Sequence, residues 1–498
     1  MDKVIVIGAG FSGLAAACCL AAEGIEVTVL EKHDQAGGRA RQLKSEGFTF
    51  DMGPSWYWMP GVFERFFNRF GKKTTDYYTL KRLSPSYRVA WEDGNMDIPS
   101  GYAELRKLFE SVEKGSARKL DKFLDGAAKK YAIGMERLAY QPALSLKEFV
   151  DKDVIRSLLQ LDLFNSMSKH IGKYFNDPKL RQILSFPVLF LGAMPDHIPA
   201  LYSLMNYADI KLGTWYPVEG GMYSIVKAMQ SLATSLGVAF EFQQDVAAFE
   251  FVGNKVTNVV TTAGKHWEAD GVVATADYHF IEQELLPPSY RTYSDSYWTK
   301  RDMAPSCLLY YIGLNKKLPG LQHHSLFFDA PFDQHAADIY KSPKWPDDPL
   351  FYACCTSVSD ETVAPPGCEN LFLLIPVAPG LSGDTVELRE FYFKKIIKRM
   401  EKHLQTSIMP HIIFQQHYAT SNFMQDYNAF KGNAYGLANT LTQTALLKPS
   451  LRSRKVKNLV YAGQLTVPGP GVPPAIISGE IAAGEILKTL ASKNAMMI

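Results

Sequence analysis

Three glycines and one acid within the first 31 residues carry the first chemistry that this sequence can perform. Residues 4–39 read VIVIGAGFSGLAAACCLAAEGIEVTVLEKHDQAGGR. Gly8 permits a tight turn out of an apolar strand, Gly10 lets the backbone approach a pyrophosphate, and Gly13 lets the next helix pack closely on the sheet. The helix start offers unpaired N–H groups and the positive end of its dipole to two phosphates, so no lysine is needed. Glu31 closes the second strand about 20 residues past the glycines, where an acid can accept both hydroxyls of an unphosphorylated ribose. The chemistry is dinucleotide binding. Residues 4–22 are also uncharged and follow Lys3, as in a signal peptide or a short membrane helix. Three glycines weaken such a helix, and neither alternative accounts for a pattern that continues through Glu31 into Gly37, Gly38 and Arg39.

Those residues need a β-α-β unit to hold them, and the rest of the chain shows what surrounds it. Residues 48–60, FTFDMGPSWYWMP, give a short strand that enters an aromatic turn at Gly53-Pro54. Residues 102–207 carry charged segments of helical period and predict an α-helical region. From residue 216 a glycine turn, a helix and short alternating strands follow, with a hairpin over 255–270 and a buried strand, ADGVVATA, that returns the chain to the first unit. Residues 289–444 hold the strands SCLLYYIGL, LFYACCT and NLFLLIPVA and the helix VELREFYFKKIIKRMEKHL, which predict a sheet with covering helices. Residues 458–490 repeat the opening order of strand, Gly/Pro-rich loop and small-residue helix, placing a second helix start before a ligand. The expected fold is α/β. A discontinuous Rossmann-like nucleotide domain is built from residues 1–100, 216–288 and 445–498. A second domain, mixed β-sheet plus helices with a helical, membrane-facing region, is built from 101–215 and 289–444.

Composition excludes some partners. The 498 residues include 53 Lys plus Arg and 51 Asp plus Glu, a net charge of +2 that provides no global field for nucleic acid. Six cysteines, at 18, 19, 307, 354, 355 and 368, form no C-x-x-C and suit free thiols in a reducing, cytoplasmic compartment. Cys354 and Cys355 are expected on opposite faces of one strand. The eleven histidines show no H-x-x-x-H or H-E-x-x-H spacing, so no metal site is expected, and His323 and His324 read as surface or loop residues that point apart. Asp196, His197 and Asp209 read as solvated groups at helix ends, and no catalytic base is assigned.

The glycine motif, the acid, the following G-G-R and the C-terminal strand-loop-helix together resemble the two-dinucleotide-binding-domain flavoproteins, which include amine oxidases and carotenoid desaturases. Three longer segments, FTFDMGPSWYWMP, LSFPVLFLGAMPDHIPALYSLMNYADIKLGTWYPVEGGM and LTVPGPGVPPAIISG, narrow the resemblance to bacterial-type phytoene desaturases. The resemblance implies an extended FAD, with its diphosphate at Gly8, Gly10 and Gly13 and its ribose at Glu31. It further implies the flavin end near Gly38, Arg39 and Gly53, an adenine-side backbone contact at Asp245-Val246, and ribityl and phosphate contacts at Gly463 and Gln464, where Gln464 replaces the customary acid.

It also implies an FAD-dependent oxidoreductase that removes a hydride and a proton from a long apolar polyene, phytoene towards lycopene. The alternatives are a hydroxycarotenoid 3,4-desaturase, another carotenoid desaturase or isomerase, an amine-oxidase-like enzyme, and a non-enzymatic carrier. Trp56, Phe186, Leu189, Phe190 and Met205 are the candidate tunnel residues, although the same side chains would serve a core helix pair. No run except residues 4–22 approaches the length of a spanning helix, so the expected location is the cytoplasm with peripheral membrane binding, residues 183–204 lying on one leaflet.

Overall fold

The computed structural model of the chain describes residues 1–145, 148, 165–189, 191–440 and 442–495. Its first sheet has five parallel strands in the order Leu459–Tyr461, Gly271–Ala274, Lys3–Ile7, Glu26–Leu30 and Ala239–Glu241. KVIVI and GVVA are nearly all apolar because both faces of these strands are covered: Val4, Val6 and Val273 pack under the flanking helices, and Ile5, Ile7, Val272 and Ala274 pack against Val246, Phe249, Val256 and Val259 of a three-stranded antiparallel sheet. The opening helix, Phe11–Ala22, is buried from Phe11 through Leu20, which explains its small side chains. The C-terminal helix, Val472–Ala495, packs so closely on it that a Cβ on Gly479 would lie 2.2 Å from the Ser12 carbonyl oxygen. The helix and its neighbouring turn are as close at Gly13, where a Cβ would lie 2.0 Å from the carbonyl oxygen of Gly8.

The second sheet has seven strands in the order Ile412–Tyr418, Ser306–Leu314, Glu369–Val377, Phe351–Cys354, His324–Phe327, Tyr87–Trp91 and Gly94–Ile98. Along Ser306–Leu314, Cys307, Leu309 and Tyr311 enter the large core that extends to the first sheet. Leu308, Tyr310, Ile312 and Leu314 enter a second core under the helix Val386–Leu404, whose Tyr392, Phe393, Ile396 and Met400 fill it. The period of two thus survives in a strand that is apolar throughout. Cys354 and Cys355 fall in these two different cores, on opposite faces as expected, and all six cysteines are free.

Two expectations need correction. Residues 87–98 were assigned with the nucleotide-binding segments, but Tyr87–Trp91 pairs with His324–Phe327 in the second sheet and carries Gly94–Ile98 as its edge. Strand periodicity identifies a strand without identifying its partner. The segment 183–204, expected on a membrane surface, is packed inward: Ile183, Leu184, Phe186, Val188, Ile198 and Leu204 are all buried. Burial in a core and insertion in lipid select the same side chains, and here the core receives them. Among the described residues, no helix is long and apolar enough to cross a membrane.

Candidate active site

A long cleft runs from the ends of the first, parallel sheet towards the second. Gly8, Gly10, Glu31, Gly38, Arg39, Gly53, Val246, Gly463 and Gln464 all line it, so nine of the ten residues assigned to the cofactor converge on one space. Gly13, the tenth, lies behind the turn and acts through the close packing described above. Thr275 Oγ1 secures that turn by donating to the carbonyl oxygens of Ile7 and Gly8 at 2.8 and 3.0 Å, a contact with no sequence signature.

Glu31 is buried at the cleft wall. Its Oε2 accepts from the Ala9 amide at 2.7 Å and its Oε1 from the His33 amide at 2.9 Å. Each oxygen keeps further acceptor capacity, enough for two ribose hydroxyls. At the far end Arg39 donates from Nη2 to the Asn433 carbonyl at 3.3 Å, and its guanidinium lies 5.1 Å from the Tyr427 ring centre. Burial holds Arg39 below its ordinary pKa, and its Nε is buried with no hydrogen-bond partner in the protein. With its amide oxygen turned towards the donors, Gln464 accepts from Arg39 Nη2 at 3.1 Å and from Gly436 N at 3.3 Å. A neutral amide therefore takes the place of the family's customary acid, as the sequence reads. Asp277 is the opposing charge that acts most strongly on Arg39: burial pushes its pKa up to about 6, while Arg39 and the Phe430, Phe280 and His279 amides pull it down. Asp277 lines the cleft yet reads in sequence as an ordinary helix cap, and it does cap the turn at Phe280 N.

These features fit an extended FAD. A Cβ on Gly10 would meet nothing within 4 Å, so the backbone there faces open space into which a pyrophosphate fits. Gly471, Val472 and Ala475 bring the start of the C-terminal helix to the same space from the other side, and the Arg39 Nε supplies an unmatched donor at the flavin end.

A second cavity of about 80 Å³ adjoins the cleft; Leu374 and Tyr435 line both. Phe186 and Leu189 line it as expected, with Phe328, Ala336 and Ile339. His335 also lines it but is held neutral: its Nδ1 accepts from Leu350 N at 2.9 Å, so Nε2–H donates to the Pro376 carbonyl at 2.9 Å, and burial lowers its pKa to about 4. Trp56 and Met205 line neither cavity. Trp56 lies in an aromatic cluster with Trp58, Tyr87, Phe186, His324 and Tyr352, and Met205 is half-buried against the core. Phe190 lies outside the described residues.

Polar groups expected at the surface are buried here too. His323 and His324 are 4% and 0% exposed, because His324 opens a strand with core on both sides. Asp209 is buried rather than solvated; it accepts from Thr214 Oγ1 at 2.9 Å and from the Tyr87 hydroxyl at 3.3 Å, and burial pushes it up to about 7. Asp196 and His197 are exposed, as expected. Lys448, which carried no sequence signal, is buried with an unpartnered Nζ, and burial alone lowers its pKa to about 7.

A parallel sheet with two glycine-rich helix starts facing one cleft defines a dinucleotide-binding protein. The model of the flavin containing amine oxidoreductase family matches residues 11–487. A carotenoid 3,4-desaturase of Haloarcula japonica is 41% identical over 98% of this chain and 99% of its own length. A zeta-carotene-forming phytoene desaturase of Myxococcus xanthus is 30% identical over 97% and 94%. Among solved structures, the cyclohexylamine oxidase of Brevibacterium oxydans superposes with a TM-score of 0.59 at 14% identity, over 98% of this chain and 99% of that one, which speaks to fold alone. The chain belongs to the flavin-containing amine oxidoreductases, within their carotenoid desaturase group. It is an FAD-dependent oxidoreductase with a mixed α/β fold.

Proposed function

We propose that this enzyme is a carotenoid 3,4-desaturase, acting on a long, hydroxylated polyene rather than on phytoene. The observation that carries a polyene substrate is the apolar cavity that meets the cleft at Leu374 and Tyr435. The choice of 3,4-desaturation over the expected phytoene reaction is supported by the 41% identity to a relative of that activity over nearly both full lengths, against 30% to the phytoene desaturase.

FAD, when bound, supplies the two-electron oxidation that no side chain can perform. The protein holds it with the Gly8, Gly10 and Gly13 turn, the Glu31 carboxylate, the Val246 backbone and the Arg39, Gly38, Gly53, Gly463 and Gln464 end of the cleft. Phe186, Leu189, Ala336 and Ile339 hold a segment of polyene and exclude water from it. Residues 1–86, 216–288 and 445–498 form the nucleotide-binding part, and residues 87–98 go with the substrate part. Because so apolar a substrate partitions into lipid, the reading includes peripheral membrane binding, which liposome flotation tests.

A product panel tests the reaction. The chain is expressed in hosts that accumulate phytoene, lycopene or a 1-hydroxylated acyclic carotenoid, and the polyenes are identified by chromatography and mass spectrometry. The hydroxylated substrate is expected to lose two hydrogens at carbons 3 and 4. Conversion of phytoene with the hydroxylated polyene untouched would restore the phytoene reading.

A further inference from the structure

His324 and Cys354 are direct register partners on the antiparallel strands His324–Phe327 and Phe351–Cys354, so their side chains stand on one face of the sheet. His323 precedes the strand, and the pleat would send it to the other face. Instead its ring meets that of His324 edge to face, with centres 4.5 Å apart. The ligand atoms of the three side chains lie within 4.8 Å of one another, and all three residues are buried.

Hydrogen bonding leaves this cluster with bare lone pairs. Tyr352 donates its hydroxyl proton to Ser55 Oγ at 2.9 Å, so the 2.6 Å contact with His324 is Nδ1–H donating to the Tyr352 oxygen. His324 Nε2 is then an unprotonated nitrogen with no partner, and neither nitrogen of His323 has one. A ligating histidine is characteristically fixed in this way through its other ring nitrogen. Trp56 stacks on His324 at 3.9 Å and Tyr216 packs on His323 at 4.5 Å, so aromatic rings cover both imidazoles, with the Tyr352 hydroxyl beside His324 and Cys354.

We propose that His323, His324 and Cys354 form a binding site for a monovalent soft cation, Cu(I). Two imidazoles and one thiolate make a three-donor set, and no further His, Cys, Asp or Glu joins the group among the described residues. Thiolate and imidazole suit both zinc and Cu(I), but structural zinc takes four protein ligands and this group supplies three. A thiolate and a monovalent ion also sum to zero charge, which suits a box walled by Trp56 and Tyr216 better than a divalent ion would. Binding displaces the Cys354 proton to solvent, because a coordinated thiol is held as the thiolate. The bound ion would cross-link two strands of the second sheet and, through His324, fix Tyr352 at the wall of the apolar cavity.

The test reads copper retention and FAD content and needs no polyene turnover. The full-length flavoprotein is titrated anaerobically with Cu(I) against a chromophoric chelator. It is expected to retain one copper per chain, and Cys354→Ser and His324→Asn to bind at least tenfold more weakly with FAD content unchanged. Cys355→Ser, the neighbouring buried thiol on the opposite face, is expected to bind like the parent chain. If Cys354→Ser does not fold, X-ray absorption of the copper-loaded parent decides between one sulfur with two imidazole nitrogens and any other set. The proposal is overturned by no stoichiometric uptake, by undiminished binding in Cys354→Ser, by equal loss in Cys355→Ser, by preferential retention of zinc, or by a different ligand set.

Discussion

The carboxylate of Glu31 reaches back across the glycine turn to the amide of Ala9, 2.7 Å from its Oε2, and so ties the end of the second strand to the end of the first. The same acid assigned to the ribose therefore also fixes the loop that receives the diphosphate. Replacing it with Gln keeps the shape and removes the charge. Since a hydrogen bond to a charged group contributes about 1.5–3 kcal/mol, Glu31→Gln should weaken FAD binding by roughly 10- to 100-fold. Quenching of flavin fluorescence on titration with apoprotein measures it, and an unchanged Kd would remove the ribose role.

Gly10 and Gly13 should fail in different ways. A Cβ at position 13 would lie 2.0 Å from the Gly8 carbonyl oxygen, whereas one at position 10 would meet no protein atom within 4 Å. Gly13→Ala should cost about 1–3 kcal/mol of stability by overpacking. Gly10→Ala should leave the apoprotein's unfolding midpoint near that of the parent while weakening FAD. Denaturant unfolding of the two apoproteins separates the effects; equal destabilisation would contradict the open space over Gly10.

The apolar cavity can be filled without touching the cleft. Ala336 lines the smaller cavity and is absent from the walls of the larger one. Ala336→Phe adds a ring to a space of about 80 Å³ and should abolish most polyene turnover while FAD content and dithionite reduction of the flavin stay at parental values. Undiminished turnover would place the polyene elsewhere.

Lys448 makes stability depend on pH in a direction that can be worked out. Its pKa is about 7 in the fold against an ordinary 10.5, so between these values the unfolded chain holds a proton that the folded chain does not. Stability gains from this group as pH rises through that window, and its cost is complete below pH 7. Lys448→Met keeps the length and removes the charge. The variant should melt above the parent at pH 7, by about 2 °C or more, with the gain disappearing towards pH 10.5. A gain independent of pH would mean that Lys448 is not the titrating group.

Much of this architecture is readable in the chain because its strands are short, apolar and bounded by glycine. KVIVI and GVVA read as strands of a covered sheet; the glycine spacing marks Gly8, Gly10 and Glu31 for the cleft, and the family resemblance adds Gly38, Arg39, Gly53, Val246, Gly463 and Gln464. What escaped was partnership. The strand Tyr87–Trp91 has the same alternating pattern whichever sheet takes it, and the 183–204 segment is equally apolar for a core or a leaflet. Asp277 looks like any helix cap until Arg39, 238 positions away in sequence, is brought near it. The paired histidines differ from expectation for a related reason: periodicity assumes a regular strand, and His323 lies one residue before the strand begins.

The first sheet and its cleft are assembled from distant parts of the sequence, with Leu459–Tyr461, Gly463, Gln464 and the helix beginning at Val472 coming last. During synthesis the glycine turn and Glu31 emerge early, but they have no opposite wall until residues 459–475 have been translated and docked. A flavin that needs both walls would then load late in synthesis. Nascent chains stalled ahead of residue 459 would hold the diphosphate loop and still be unable to retain the cofactor.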